Sequence, residues 1–270
     1  MKFNPSMLKK FQSCNLQYKL AQEYPDTIEL KSAAASFGTL VHKCIEMYLL
    51  GRPIEDCLDF FKMVWDNPVA MDILPDYYPQ RTSHEAYRQR GIEAIEGYHE
   101  NQKWLNREII GTEIRFQVPL GNHTISGIVD NVQFDPDTNT LICEDLKTGS
   151  RPNFDNLRAD LQMTSYWYAI QQREFWVGWE PEIEKYAGVS DGENLFKKFI
   201  GSDIRVVWYD ARKHKEYDVG QRDQRDIDRM IYLCDSIERA IREDVYVPTI
   251  TGDSCKFCAY QDVCPSFVGI

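Results

Sequence analysis

Two carboxylates and one lysine lie in neighbouring apolar stretches of this 270-residue chain. Asp130 lies in one stretch that is rich in Ile and Val, and Asp145 and Lys147 lie in the next one. Turn-forming residues occupy positions 135–139 between them, so we expect a β-hairpin that brings Asp130 close to Asp145. Because side chains alternate along a strand, Asp145 and Lys147 should share one face, opposite Glu144.

These residue types suit the hydrolysis of a phosphodiester bond. Two carboxylates can hold Mg²⁺ or Mn²⁺, and a nearby ammonium group can orient a water or stabilise charge on a phosphate. A simpler interpretation is that Asp130 caps the hairpin and Lys147 starts a loop. Glu144 and Asp145 would then be solvated. Charged residues within an apolar strand nevertheless need a reason, because burying them unpaired is costly. Taken alone, these residues leave both interpretations open.

The cysteines form a second pattern, near the C-terminus. Cys255, Cys258 and Cys264 follow the spacing C-x2-C-x5-C. Three thiolates at this spacing can surround one metal centre, but a tetrahedral zinc ion or an iron-sulfur cluster takes a fourth ligand, for which Cys14 is the best candidate. The remaining four lie in apolar patterns and are expected to be buried, inert thiols: Cys44, Cys57, Cys143 and Cys234.

The order of these motifs resembles the PD-(D/E)XK nuclease superfamily, specifically its RecB-like branch. The resemblance rests on Asp130 after a Gly-Ile-Val run, on Asp145 and Lys147 separated by one residue, and on a QxxxY motif from Gln162 to Tyr166. It covers most of the chain. One N-terminal cysteine paired with three C-terminal ones resembles the iron-sulfur subset, which includes AddB-type nucleases and CRISPR adaptation nucleases.

The resemblance implies a function for each motif residue. For a Mg²⁺ or Mn²⁺ ion it implies these ligands: His42, Asp130, Asp145 and the Leu146 carbonyl. For catalysis and DNA positioning it implies Asp130, Asp145, Lys147, Gln162 and Tyr166. Glu113 resembles an acidic position that precedes the hairpin in these families. For a [4Fe-4S] cluster, with zinc as the alternative, it implies Cys14, Cys255, Cys258 and Cys264.

Composition sets the broad class of the protein. A chain of 270 residues with 43% hydrophobic content can bury one sizeable core. We expect a single domain with a helical part at 1–108, a catalytic core at 109–220, and a C-terminal helix with the cysteines at 221–270. No apolar run is long enough to cross a membrane, and the first residues do not form a signal peptide, so we expect a soluble cytoplasmic protein.

The net charge of −11 argues against a general nucleic-acid coat protein, which would be basic. It does not exclude a nuclease, because active-site carboxylates add negative charge and a basic groove can be local. Candidates for a groove are Arg151, Arg158, Lys197, Lys198, Arg212, Lys213 and Lys215. Candidates for base stacking are Trp167, Tyr168, Phe175, Trp176 and Trp179.

Periodicity and turn signals predict an α/β core in which a mixed sheet is flanked by helices. This is also the restriction-endonuclease-like core that the resemblance implies, with the chain ends joined by a metal cluster. Predicted helices cover residues 5–22, 37–50, 54–66, 84–105, 155–174 and 221–243. Predicted strands cover residues 109–119, 124–134, 140–147, 204–209 and 216–219.

Together the motifs predict a metal-dependent DNA nuclease, an exonuclease on single-stranded ends or tails that acts in recombination, repair or DNA processing. No Walker loop is present in the sequence, so we expect a helicase or recombinase as partner. Two alternatives remain. One is a non-catalytic DNA-binding iron-sulfur module, and the other is an endonuclease or a CRISPR spacer-processing nuclease.

Overall fold

The computed structural model describes residues 1–27, 32–71, 75, 77–79, 82–149, 157–172, 199–250, 255–256 and 258–267. The α-helices in this part of the chain are α1 (Pro5–Ser13), α2 (Asn15–Glu23), α3 (Ala33–Leu49), α4 (Ile54–Asp66), α5 (His84–Gln102), α6 (Leu161–Gln172) and α7 (Gln224–Glu243). The strands are β1 (Lys2–Phe3), β2 (Glu108–Leu120), β3 (His123–Asp135), β4 (Thr140–Lys147), β5 (Asp203–Asp210) and β6 (Lys215–Asp218).

The strands form one six-stranded mixed sheet with β3 near its centre. Strand β3 pairs antiparallel with β2 on one side, and on the other side it pairs parallel with β1 and antiparallel with β4. The sheet continues with a parallel β4–β5 pair and ends with an antiparallel β5–β6 pair. The sequence did not indicate β1 or the two parallel pairings, because both join residues far apart in the chain.

Helices cover both faces of the sheet. One core contains apolar residues of α1, α2, α6 and α7 together with residues of β2 to β5, including Phe116 and Tyr166. The other contains residues of α3, α4 and α5 against Leu146 and Tyr209. The predicted mixed sheet flanked by helices is therefore confirmed, as is the burial of Cys44, Cys57, Cys143 and Cys234.

The predicted helix over residues 5–22 is wrong at one position. Cys14 has extended backbone angles, φ −162° and ψ 115°, and separates α1 from α2. Its sulfur accepts hydrogen bonds from the N–H groups of Gln17 and Thr249, each at 3.4 Å. The apolar stripe that predicted one helix continues across this break, so periodicity alone could not show it.

The other predicted elements agree with the structure to within a few residues at their ends. The largest differences are α6, which begins at Leu161 instead of residue 155, and α3, which begins four residues before residue 37. Residues 155, 156, 173 and 174 of the predicted fifth helix lie outside the described residues. No helix in the described part of the chain is both long and apolar enough to span a membrane.

Candidate functional site

The site begins where β3 and β4 separate. Their backbone pairing ends at Asn131 and Glu144. Beyond this point the backbone N–H of Leu146 donates to Asp130 Oδ2 at 2.8 Å, so a carboxylate takes the place of a strand partner. The hairpin that the sequence predicts thus brings Asp130 close to Asp145.

Asp145 and Lys147 lie on the same face of β4. Lys147 Nζ donates to Asp145 Oδ1 at 2.9 Å and lies 2.8 Å from Oδ2. Glu144 points to the opposite face, where its Oε1 accepts a hydrogen bond from Tyr98 at 2.6 Å. Asp145 is fully buried and Glu144 is 1% exposed. The alternative in which both are solvated is therefore wrong.

Helix α6 brings the QxxxY motif to Asp145. Gln162 Nε2 lies 3.2 Å from Asp145 Oδ1 and 2.7 Å from the Tyr166 hydroxyl. Just before the helix begins, Asp160 Oδ1 accepts the N–H groups of Gln162 and Met163, which satisfies two backbone donors of the first turn. The four-residue spacing places Gln162 and Tyr166 on one face, as predicted.

His42 reaches the site from the other core, on α3. Its Nδ1 lies 3.5 Å from Asp130 Oδ2, and a backbone hydrogen bond with Leu146 also acts on its ring. Gly38, one turn earlier, permits this approach. A Cβ atom at Gly38 would lie 3.2 Å from Thr148 Oγ1, which is tighter than an ordinary contact.

Glu113 also lies at the site, opposite Asp130 on β2. Its φ of 49° is in the left-handed region, which is unfavourable for a residue with a side chain. The side-chain alternation of β3 changes at the same level, because Val129 and Val132 both face the core of α6. Such local irregularities often re-aim a side chain at a functional site. Only the family resemblance pointed to Glu113 before its position in the structure was known.

Burial dominates the electrostatics of this group. It raises the pKa of Glu113 to about 7, and the nearby carboxylate of Asp130 acts in the same direction. Burial also raises the pKa of both Asp130 and Asp145, opposed by the ammonium group of Lys147. For His42, burial and then Lys147 lower the pKa to about 4, so its imidazole is neutral at pH 7.

These residues fit a divalent metal ion. One ligand atom each from His42, Glu113 and Asp130 lies within 4.8 Å of the others. Asp145 Oδ2 is buried and no hydrogen bond satisfies it among the described residues, although the Lys147 ammonium lies beside it. A neutral imidazole with carboxylate oxygens suits Mn²⁺ or Mg²⁺. The structure thus adds Glu113 to the ligands that the sequence predicts.

The four motif cysteines lie together near the C-terminal end of α1. The side chains of Cys14, Cys255, Cys258 and Cys264 line one small cavity with Pro248 and Phe267. Burial raises the pKa of the Cys258 thiol, and the other three thiols are near enough to raise it further. Residues far apart in the sequence therefore converge, as the motif predicts.

A second group of described residues has side chains that could bind a metal ion, away from the Asp130–Asp145 site. His123 Nε2 is 2.8 Å from Asp235 Oδ1, and Glu238 lies nearby. His123 is buried at the start of β3 and Asp235 is on α7. We interpret the His123–Asp235 contact as a hydrogen bond that joins the hairpin to α7.

The predicted basic and aromatic residues do not form a single cluster among the described positions. Arg158 is paired with Asp226 at 2.9 Å, and three cations lie at or next to the β5–β6 turn: Arg212, Lys213 and Lys215. Trp167 and Tyr168 pack against the core. Six residues lie outside the described part: Arg151, Phe175, Trp176, Trp179, Lys197 and Lys198.

The family model of the PD-(D/E)XK nuclease superfamily matches residues 2–265. No curated protein matches the chain. A solved structure titled "Crystal structure of SSO0001" is 12% identical, with a TM-score of 0.41, over 99% of this chain and 88% of that one. That likeness is too weak to support an argument. The family match over nearly the whole sequence shows that this chain belongs to the PD-(D/E)XK nuclease superfamily.

Proposed function

We propose that this protein is a Mg²⁺- or Mn²⁺-dependent deoxyribonuclease that acts as an exonuclease on single-stranded DNA ends or tails. One observation carries the nuclease proposal. The ligand atoms of His42, Glu113 and Asp130 converge beside the buried Asp145–Lys147 pair, at the point where β3 and β4 separate. Superfamily membership supports the same reaction class.

Each residue has a task in this proposal. His42, Glu113, Asp130, Asp145 and the Leu146 carbonyl would hold the metal. When bound, the metal ion activates a water and stabilises negative charge on the phosphate. Lys147 supplies a compact positive charge, which orients the attacking water and stabilises the transition state. Its ammonium lies 2.8 Å from Asp145 Oδ2, so it is held next to the reacting atoms.

Gln162 orients the Asp145 carboxylate and contacts the DNA, and Tyr166 supports Gln162. The Gln162 amide donates to Asp145 Oδ1. Asp145 Oδ2 accepts no hydrogen bond among the described residues and faces the Lys147 ammonium. Tyr166 is 1% exposed, and its ring packs edge-on against Phe116. It therefore supports Gln162 from the core. Contacts with DNA fall to the more exposed Gln162 and Lys147.

The proposed preference for DNA ends rests on the resemblance to RecB-like nucleases. The proposed helicase or recombinase partner rests on the same resemblance. The QxxxY motif supports that branch, and a helicase or recombinase would supply the single-stranded ends. Recombination, repair and DNA processing are the pathways in which such ends arise.

We further propose that Cys14, Cys255, Cys258 and Cys264 hold a [4Fe-4S] cluster. The four thiols line one small cavity, which suits a shared metal centre. The resemblance to the iron-sulfur subset of RecB-like nucleases favours a cluster over one zinc ion. Two N–H groups already donate to Cys14 Sγ, as hydrogen bonds do to cluster sulfurs.

Labelled DNA tests the nuclease proposal. We expect linear single-stranded DNA to be degraded from its ends with Mn²⁺ or Mg²⁺, and not with EDTA. Circular single-stranded DNA of the same sequence should stay intact. The Asp145→Ala variant is the control for contaminating nuclease.

Each alternative has its own outcome in this assay. Cleavage of the circle would support an endonuclease in place of an exonuclease. Binding of DNA with no metal-dependent cleavage by freshly purified, metal-loaded protein would support the non-catalytic module. Equal cleavage by wild type and Asp145→Ala would contradict the assigned site.

A further inference from the structure

Lys9 on α1 reaches the site from outside the motifs. Its Nζ lies 3.4 Å from Gln162 Oε1 and 2.9 Å from Asp160 Oδ2. Asp160 is also the residue whose Oδ1 caps the first turn of α6. Lys9 therefore contacts both the side chain of Gln162, which touches Asp145, and the residue that caps the helix carrying Gln162.

We propose that Lys9 is a positioning residue of the nuclease site, which acts through the Gln162 amide. This inference rests on the proposed function, because it assigns Lys9 a part in the same reaction. It adds a residue from the N-terminal helix to a site that the motifs place on β3, β4, α3 and α6.

The effect of Lys9 depends on which way the Gln162 amide faces. Gln162 Oε1 faces the Lys9 ammonium, and Nε2 faces both Asp145 Oδ1 and the Tyr166 hydroxyl. In the reversed orientation, the amide oxygen would face the carboxylate and the NH₂ group would face the ammonium, so both contacts would be repulsive. Lys9 and Asp145 thus select one orientation from opposite ends of the amide.

Exposure indicates that this contact contributes little to stability. The side chains of Lys9 and Asp160 are 42% and 24% exposed. Solvent screens exposed ion pairs of this kind, so they contribute little to folding. A Lys9 variant should therefore fold, and its effect should appear in the reaction.

A double-mutant cycle tests this inference with single-stranded DNA and Mn²⁺. Lys9→Met keeps the length of the side chain and removes its charge. We expect kcat to fall about tenfold, the scale of one hydrogen bond to a charged group, with KM unchanged. Lys9→Arg should restore most of kcat. The control Lys62→Met removes a charge from an exposed pair on α4 and should change neither constant.

The double variant shows whether Lys9 acts through Gln162 or through a phosphate of the DNA. If Lys9 acts through Gln162, Lys9→Met should have no further effect in the Gln162→Leu background. If Lys9 instead binds a phosphate of the DNA, the two effects should multiply and KM should rise. Multiplied effects, or an unchanged kcat in Lys9→Met, would overturn the inference.

A measurement that does not depend on catalysis can test the role of Lys9 separately from the proposed nuclease function. The side-chain NH₂ signals of Gln162, assigned by their loss in Gln162→Leu, should shift in nitrogen-15 NMR spectra of Lys9→Met and stay in place in Lys62→Met. Unshifted signals in Lys9→Met would overturn the positioning role. An inactive wild type with shifted signals in Lys9→Met would reject the nuclease proposal and keep the contact.

Discussion

At the scale of single residues, Lys147 is the side chain whose loss should affect catalysis most and folding least. It lies at the end of β4, and its side chain is 32% exposed. Its positive charge offsets the burial of Asp145, whose raised pKa lets it take up a proton when Lys147 is absent. The loss of Lys147 should therefore be tolerated by the fold better than by the reaction.

We expect Lys147→Ala to lower kcat by roughly 10²–10³, the scale seen when a group that stabilises transition-state charge is removed. Thermal melting and DNA binding should stay close to wild type. Labelled-DNA turnover, circular dichroism and filter binding measure the three quantities. Wild-type turnover in the purified variant would refute the assignment of Lys147.

Metal affinity should depend on pH in a direction set by the buried carboxyls. Burial raises the pKa of Glu113 to about 7 and raises that of Asp130 and Asp145. These groups must lose protons before they bind a cation, whereas His42 is already neutral above pH 5. We expect Mn²⁺ affinity to fall as pH drops from 8 to 6, with proton release on binding, measured by calorimetry in two buffers.

Variants connect this pH dependence to the proposed ligands. Asp145→Ala and Asp130→Ala should lose Mn²⁺ binding at pH 8, and His42→Ala should weaken it. Asp235→Ala, which removes a carboxylate from the distant His123 pair, is the matched control and should bind normally. Unchanged affinity in Asp145→Ala would contradict the metal site.

At the scale of elements, α3 can place His42 only because α4 and α5 support it. Gly91 lies where α5 meets α4, and a Cβ atom there would lie 1.9 Å from the buried ring of Phe61. The two helices approach through this glycine. The core behind His42 therefore depends on a residue that makes no contact with the site's ligands.

We expect Gly91→Ala to destabilise the protein by about 1–3 kcal/mol, because overpacking outweighs the better helix propensity of Ala. Urea denaturation measures the change. Gln89→Ala, an exposed change on the same helix, is the control and should stay within about 0.5 kcal/mol of wild type. Equal stability of the two variants would contradict the observed packing.

At the scale of the whole molecule, the four motif cysteines lie together although they come from the two ends of the described chain. Cys14 directly precedes α2, and the other three follow α7. A link between residues 14 and 255 closes nearly the whole chain, which removes on the order of 5 kcal/mol of unfolded-state entropy in the simple model. Cys14 directly follows α1, so a metal centre there would also hold the helix that carries Lys9.

We expect anaerobically purified protein to be brown, with visible charge-transfer absorbance and similar amounts of iron and sulfide. Replacing any one of Cys14, Cys255, Cys258 or Cys264 by Ser should remove the colour and lower stability markedly, because metal-binding energy becomes folding energy. Cys44→Ser and Cys234→Ser should keep the colour. One zinc per colourless chain would reject the cluster, and full stability without metal would reject the link.

The sequence by itself determined the features that depend on local chemistry. Turn residues at 135–139 and the apolar runs beside them predict the β3–β4 hairpin, and alternation places Asp145 and Lys147 on one face. The four-residue spacing places Gln162 and Tyr166 together on α6. Each of these relations joins residues close in the chain, so residue type and spacing are sufficient to predict it.

Only the tertiary structure decided the relations between distant segments. It ends α1 at Cys14, where Thr249 donates to the sulfur, and it brings Lys9 to Gln162. It also holds Glu113 at a φ of 49° beside Asp130. These arrangements depend on contacts between residues far apart in sequence, and such contacts override local propensity because packing and pairing energies exceed the small differences between backbone preferences.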